Sequence, residues 1–213
     1  MSNKGKAWLP VGILTGSLLI SSAGLNALTF DVVVNTTSLN GLDATLAFDF
    51  LDGGSPSNTV ILGTLTSDGT QGTASTSGDV TGNGPWTFSD LGNTSFFNEL
   101  LVDFTPMGTS LAFSFTATDN PPDGGSQPDS FSFFVLGTDQ ITPLIETDGP
   151  GDALFLLSLG QGEQGLTVYN PILLPDQIFS IEVTPSQGGV PEPSTLALLA
   201  AGFGALLRRR RFT

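Results

Sequence analysis

The feature that most constrains this chain is an alternation of apolar and polar side chains with a period of two. In SLAFSFTAT (110–118), Leu111, Phe113, Phe115 and Ala117 share one face, while Ser110, Ser114, Thr116 and Thr118 share the other. Successive strand side chains point to opposite faces, so a segment of this kind hides its apolar half only as one side of a sheet. The same rule groups Phe30, Val32 and Val34 in LTFDVVVNT (28–36), and Leu46, Phe48 and Phe50 in ATLAFDF (44–50). Further strands are predicted at 59–66, 86–91, 130–136, 153–159, 165–169 and 177–183, giving nine. FFNELLVDF (96–104) reads as strand or helix.

Between these segments lie DGGSPSN, SDGTQGT, DNPPDGGSQPD and TDGPGD, whose Gly, Asp, Asn and Pro supply the special backbone angles of β connections. Short strands at regular spacing with such turns predict an all-β, antiparallel β-sandwich of jelly-roll type over residues 28–184, with little helix. The chain holds 16 Phe for a core and no Cys, so packing alone, without disulfides, must hold this domain. Pro185 to Gly189 (PSQGG) reads as a linker.

Charge separates the middle of the chain from its ends. Of 20 Asp and Glu, 19 lie between Asp31 and Glu182, whereas all six basic residues, Lys4, Lys6 and Arg208 to Arg211, lie near the termini. With no His, Cys, Lys or Arg in the middle, histidine base catalysis, thiol and Schiff-base chemistry and cationic stabilisation of an oxyanion are excluded there. Paired carboxylates for glycoside hydrolysis are the one remaining option. Among 19 acids, chance alone puts some pair at a suitable spacing, so no enzyme is expected. Phosphate contacts need Lys and Arg, so nucleic acid is excluded as a partner. The Asp79–Gly84 segment reads as turns around a short extended piece and not as a phosphate loop, which would need a Lys and a helix to follow.

No cofactor is required by this composition, but calcium is a candidate. The loop DNPPDGGSQPD offers Asp119, Asp123 and Asp129, and calcium takes six to eight hard oxygen ligands in flexible loops. The spacing is not that of an EF-hand, and Asp is also common in turns for conformational reasons. A carbohydrate-binding module is the other alternative, with Trp86 and Tyr169 as aromatic candidates; the competing reading of Trp86 is a core residue.

The ends carry targeting signals. Lys4 and Lys6 precede the apolar run VGILTGSLLI (11–20), and Ser21-Ser22-Ala23 gives a small-x-small cleavage pattern, with Ala27 a second option. Residues 1–27 are thus predicted to be a signal peptide, which implies signal peptidase and the secretion machinery as partners. At the other end, TLALLAAGFGALL (195–207) covers ~20 Å of a ~30 Å hydrocarbon core, a short transmembrane helix. Arg208, Arg209, Arg210 and Arg211 would snorkel and hold the cytoplasmic side. Pro191 and Pro193 oppose helix and keep Glu192 in an extended segment just outside the inner membrane.

The order of Pro-Glu-Pro, apolar run and arginine cluster in residues 190–213 resembles the PEP-CTERM sorting signal. The resemblance implies a membrane peptidase of the exosortase type that recognises Pro191, Glu192 and Pro193. It also implies anchorage in the inner membrane in transit, and a final place on the surface or in the extracellular matrix of a Gram-negative bacterium, commonly one making exopolysaccharide. In that setting the N-glycosylation triplets at Asn35 and Asn93 are chance matches. The opening FDVVVNTTSLNGLDATLAFDF (30–50), with GDVTG and a later FSF, resembles exported PEP-CTERM β-proteins, which supports fold and export without supplying an activity. The resulting expectation is an acidic structural or binding component of a biofilm matrix.

Overall fold

The computed structural model describes residues 27–54, 56–92 and 95–186. The expected signal peptide (up to Gly24-Leu25-Asn26), the Pro191-Glu192-Pro193 motif, the transmembrane helix and Arg208 to Arg211 lie outside the described residues.

The domain is all-β. Its strands are β1 (Ala27–Asn35), β2 (Ala44–Leu51), β3 (Thr59–Leu62), β4 (Thr66–Ser67), β5 (Gln71–Ser77), β6 (Val80–Gly82) and β7 (Trp86–Ser89), followed by β8 (Phe97–Phe104), β9 (Ser110–Thr118), β10 (Ser130–Leu136), β11 (Phe155–Ser158), β12 (Leu166–Val168) and β13 (Ser180–Pro185). Helix among the described residues is limited to three short 3₁₀ turns. One antiparallel sheet runs β13-β1-β9-β3-β7-β6, with β4 also on β9, and the other runs β12-β11-β10-β2-β8-β5.

Alternation decides which face goes inward. In β9, Leu111, Phe113, Phe115 and Ala117 are buried and the residues between them are not. Phe30, Val32 and Val34 of β1 alternate in the same way, and Leu46, Phe48 and Phe50 of β2 are buried together, although Thr45 and Ala47 on the other face of that central strand are covered as well. The two inward faces meet through aromatic rings: Phe113 touches Phe48 and Phe133 edge-on at 5.3 and 5.2 Å, and Phe115 touches Phe131 and Phe155 at 5.2 and 5.4 Å. Such pairs add about 0.5–1.5 kcal/mol each beyond their buried area.

The ambiguous segment 96–104 is a strand, β8, in which Asn98, Leu100, Val102 and Phe104 alternate inward. The expected strand at 59–66 divides into β3 and β4, the short extended piece expected within 79–84 is the three-residue β6, and β5 had no expectation. Of the expected linker 185–189, Pro185 closes β13, and Ser186 donates its N–H to Thr29 O (2.7 Å) and its hydroxyl to Asp31 (2.6 Å); residues 187–189 lie outside the described residues.

Register places both ends of the domain at one pole. Ala27 pairs with Thr118, and Phe30 with Pro185, so the start of β1 and the end of β13 leave together. At the same pole Val60 near the start of β3 pairs with Ala117, Thr59 with Ser89, and Leu51 with both Ser130 and Phe97. The β2–β3, β7–β8 and β9–β10 connections therefore converge there.

Candidate functional site

The three acids of the 119–129 loop do not come together. Asp119, buried, accepts the N–H groups of Gly160 (2.5 Å) and Gly162 (2.9 Å) and so fastens the turn after β11 to the end of β9. Gly160 suits this contact because its φ is +85° and a Cβ there would lie 2.5 Å from Pro121 Cα. Asp123 is exposed, at a turn whose Ser126 N–H donates to the Asp123 carbonyl. Asp129 alone points into a site, and its companions come from other loops.

Asp52, just after β2, and Asp90, just after β7, join Asp129, just before β10, such that carboxylate oxygens of the three lie within 4.8 Å of one another. Asp90 is 1% exposed and Asp129 3%, while Asp52 is half-buried at the mouth. Asn58, itself buried, organises the floor. Its backbone N–H donates to Asp90 Oδ2 (3.0 Å) and its amide to Asp129 Oδ2 (2.7 Å), while its own Oδ1 accepts from Thr118 and Asn120. The Gly53 N–H donates to Asp129 Oδ1 (2.7 Å) and that of Gly54 to Asp52 Oδ1 (2.7 Å). Gly53 has no room for a side chain, since a Cβ would lie 2.3 Å from the Gln127 carbonyl. Asp90 Oδ1, by contrast, is buried with no hydrogen-bond partner among the described residues. Burial raises the Asp90 carboxyl above the usual range; the Asn58 N–H opposes this, and the charge of Asp129, a direct side-chain interaction with the Asp129 carboxyl and the charge of Asp52 add to it.

A second acidic pair sits on the outward face of the other sheet. Asp49 of β2 stands directly opposite Glu99 of β8, and burial first, then the Glu99 charge, pushes Asp49 up to about 7. Burial also raises Glu99.

The aromatic candidates are not free platforms. Trp86 is 4% exposed and belongs to the core, and half-buried Tyr169 packs its ring against Gly149. The exposed aromatics among the described residues are Phe96, beside the acidic site in the β7–β8 connection, and Phe97 at the start of β8. Asp52 and Asn58, at the two ends of the β2–β3 connection, and Asp90, in the β7–β8 connection, escaped the sequence reading because they are far in sequence from the loop that carries Asp129. The usable signal was positional, an acid adjoining a strand end on the pole where Asp129 also lies.

Among comparisons with known proteins, the model of the PEP-CTERM protein-sorting motif matches residues 189–211. No curated protein and no solved structure matches the chain. The match covers the tail only, and it contains Pro191, Glu192, Pro193 and Arg208 to Arg211. The chain carries a PEP-CTERM sorting signal, which marks it for processing by an exosortase, a membrane protein, and for membrane-anchored transit to the cell surface. Among the described residues no helix is long and apolar enough to cross a membrane.

Proposed function

We propose that the chain is an exported, non-catalytic β-sandwich protein of a Gram-negative bacterium, serving as a structural or binding component of the cell surface or its exopolysaccharide matrix. The observation that carries this reading is the PEP-CTERM motif at 189–211, which begins three residues after the last hydrogen bonds of the domain, at Ser186. A signal peptide over residues 1–27 delivers the chain to the secretion machinery. The apolar run 195–207 then spans the inner membrane with Arg208 to Arg211 on the cytoplasmic side until the exosortase acts. The domain supplies a surface of high negative charge, which keeps it soluble and monodisperse outside the cell. Burial of Trp86 removes the strongest sugar-stacking candidate, so a matrix role resting on charge is favoured over a stacking lectin.

The experiment replaces Pro191, Glu192 and Pro193 together by Ala in a host that carries the sorting enzyme. Insertion depends on hydropathy and flanking positive charge, so the variant still enters the membrane. Fractionation and mass spectrometry of the carboxyl terminus should find the native protein shortened and released, and the variant retained with Arg208 to Arg211. Equal processing of both would reduce the ending to a tail anchor.

A further inference from the structure

We propose that Asp52, Asp90 and Asp129 together hold one divalent cation of the calcium class, which ties three loops at the pole from which both ends of the domain leave. The first ground is spacing. Oxygens bound to one calcium at ~2.4 Å lie no more than ~4.8 Å apart, and the three carboxylates meet that limit.

The second ground is the unpartnered oxygen. Asp90 is 1% exposed, Asn58 occupies its Oδ2, and its Oδ1 is buried with no hydrogen-bond partner among the described residues. An orphaned buried acceptor costs about 1–3 kcal/mol, more when charged, so such atoms normally mark an absent partner. Residues 27–186 contain no Lys, Arg or His to supply that partner, so it comes from solvent as a cation, a proton or a water molecule, and three converging carboxylates favour the cation. The hydrogen bonds already made leave capacity, since each carboxylate has about four lone-pair sites.

The third ground is preorganisation. Asn58 holds both buried acids, and its side chain is itself fixed by Thr118 and Asn120, so the carboxylates are positioned by the fold and not by the ion. Half-buried Asp52 leaves an entry from solvent. Irregular loops with adaptable carbonyls suit calcium, whereas magnesium demands a near-ideal octahedron and keeps several waters. The competing occupants are a proton shared between Asp90 and Asp129 and a buried water molecule.

The test uses the full chain in detergent micelles at about pH 7.5, stripped by chelation and titrated with calcium or magnesium at matched ionic strength, with affinity read by calorimetry and stability by thermal melting. Wild type should bind one calcium, and melt higher in about 1 mM calcium than in the same magnesium, within the range of extracellular calcium modules. Asp90→Asn and Asp52→Asn should each weaken binding by roughly tenfold or more through lost ligand charge, while Asp123→Asn, an exposed acid outside the site, should not. Asp90→Asn keeps the acceptor for the Asn58 N–H, and its melting without calcium reports whether it folds. The proposal is overturned if wild type binds no calcium, if the two site variants bind as it does, or if magnesium acts equally. A wild type indifferent to both ions but stabilised on acidification would assign Asp90 Oδ1 to a shared proton.

Discussion

Replacing Asp49 by Asn should stabilise the domain at alkaline pH and leave it nearly unchanged near pH 4. Asp49 faces Glu99 across the β2–β8 ladder, and its Oδ1 is buried with no hydrogen-bond partner among the described residues. Burial, then the Glu99 charge, moves its carboxyl from 3.8 to about 7. Below pH 3.8 the carboxyl is protonated in folded and unfolded chains alike. As pH rises toward 7, the unfolded chain gives up its proton while the folded one keeps it, and stability falls until the folded group ionises as well. The full shift is worth about 4 kcal/mol at 1.36 kcal/mol per unit, and partial solvation of the site brings the expected loss to about 2–4 kcal/mol. The Asp49→Asn change would remove the charge, and the new amide could donate to Glu99. Urea unfolding of wild type and Asp49→Asn between about pH 4 and 8.5 measures the difference directly; acids far from Asp49 cancel in the comparison, and Glu99, which is coupled to it, contributes to the same difference. The variant's advantage should grow with pH and level off above about pH 8. A stability difference that stays constant across that range would refute the argument.

Two further outcomes test the core and the loop pole. Phe115→Ala removes a ring that meets Phe30, Phe131 and Phe155 between the sheets, and chemical denaturation should show a loss of about 3–5 kcal/mol; a loss below ~1 kcal/mol would mean that the sheets do not share this core. Gly53→Ala drives a Cβ against the Gln127 and Pro128 carbonyls, which should cost about 1–3 kcal/mol and loosen Asp129, lowering calcium affinity more than Asp123→Asn does.

The sequence was legible wherever a single segment carries the information. Strands β1, β2 and β9 each bury one face against the other sheet, so alternation alone locates them. In β8 the adjacent Leu100 and Leu101 blur the period: Leu100 is buried in the core, while Leu101 lies half-covered on the opposite face. Strand β5, QGTASTS, is exposed throughout and has no apolar face to betray it; it exists because its backbone completes the edge of β8. The acidic site was half-legible for a different reason. Asp129 stood out in an acidic loop, but strand pairing selects its neighbours, bringing residues 52 and 90 beside it across gaps of 77 and 39 positions. Asp119, adjacent to the same loop by sequence, is taken by the backbone of Gly160 and Gly162 instead.

The sharing of one pole by the termini and the acidic site has a consequence for the proposed surface role. The edge strand β13 ends at the pole of the converging loops, four residues before the sorting motif begins, so the chain continues toward the membrane from that pole, and the β1–β2 and β8–β9 turns lie at the opposite one. Anionic lipid headgroups and a domain with 19 acids and no internal base repel each other at close range, within a Debye length of about 8 Å. A divalent ion at Asp52, Asp90 and Asp129 would neutralise charge at the end where that repulsion is greatest. The same electrostatics would limit any partner in the proposed matrix role. An anionic polysaccharide could approach this domain only through bridging cations, whereas a neutral one would need hydrogen bonds from its Ser and Thr faces, such as the exposed hydroxyls of β5. Salt dependence separates these cases, because chelation abolishes bridged association and leaves hydrogen-bonded association to a neutral polymer intact.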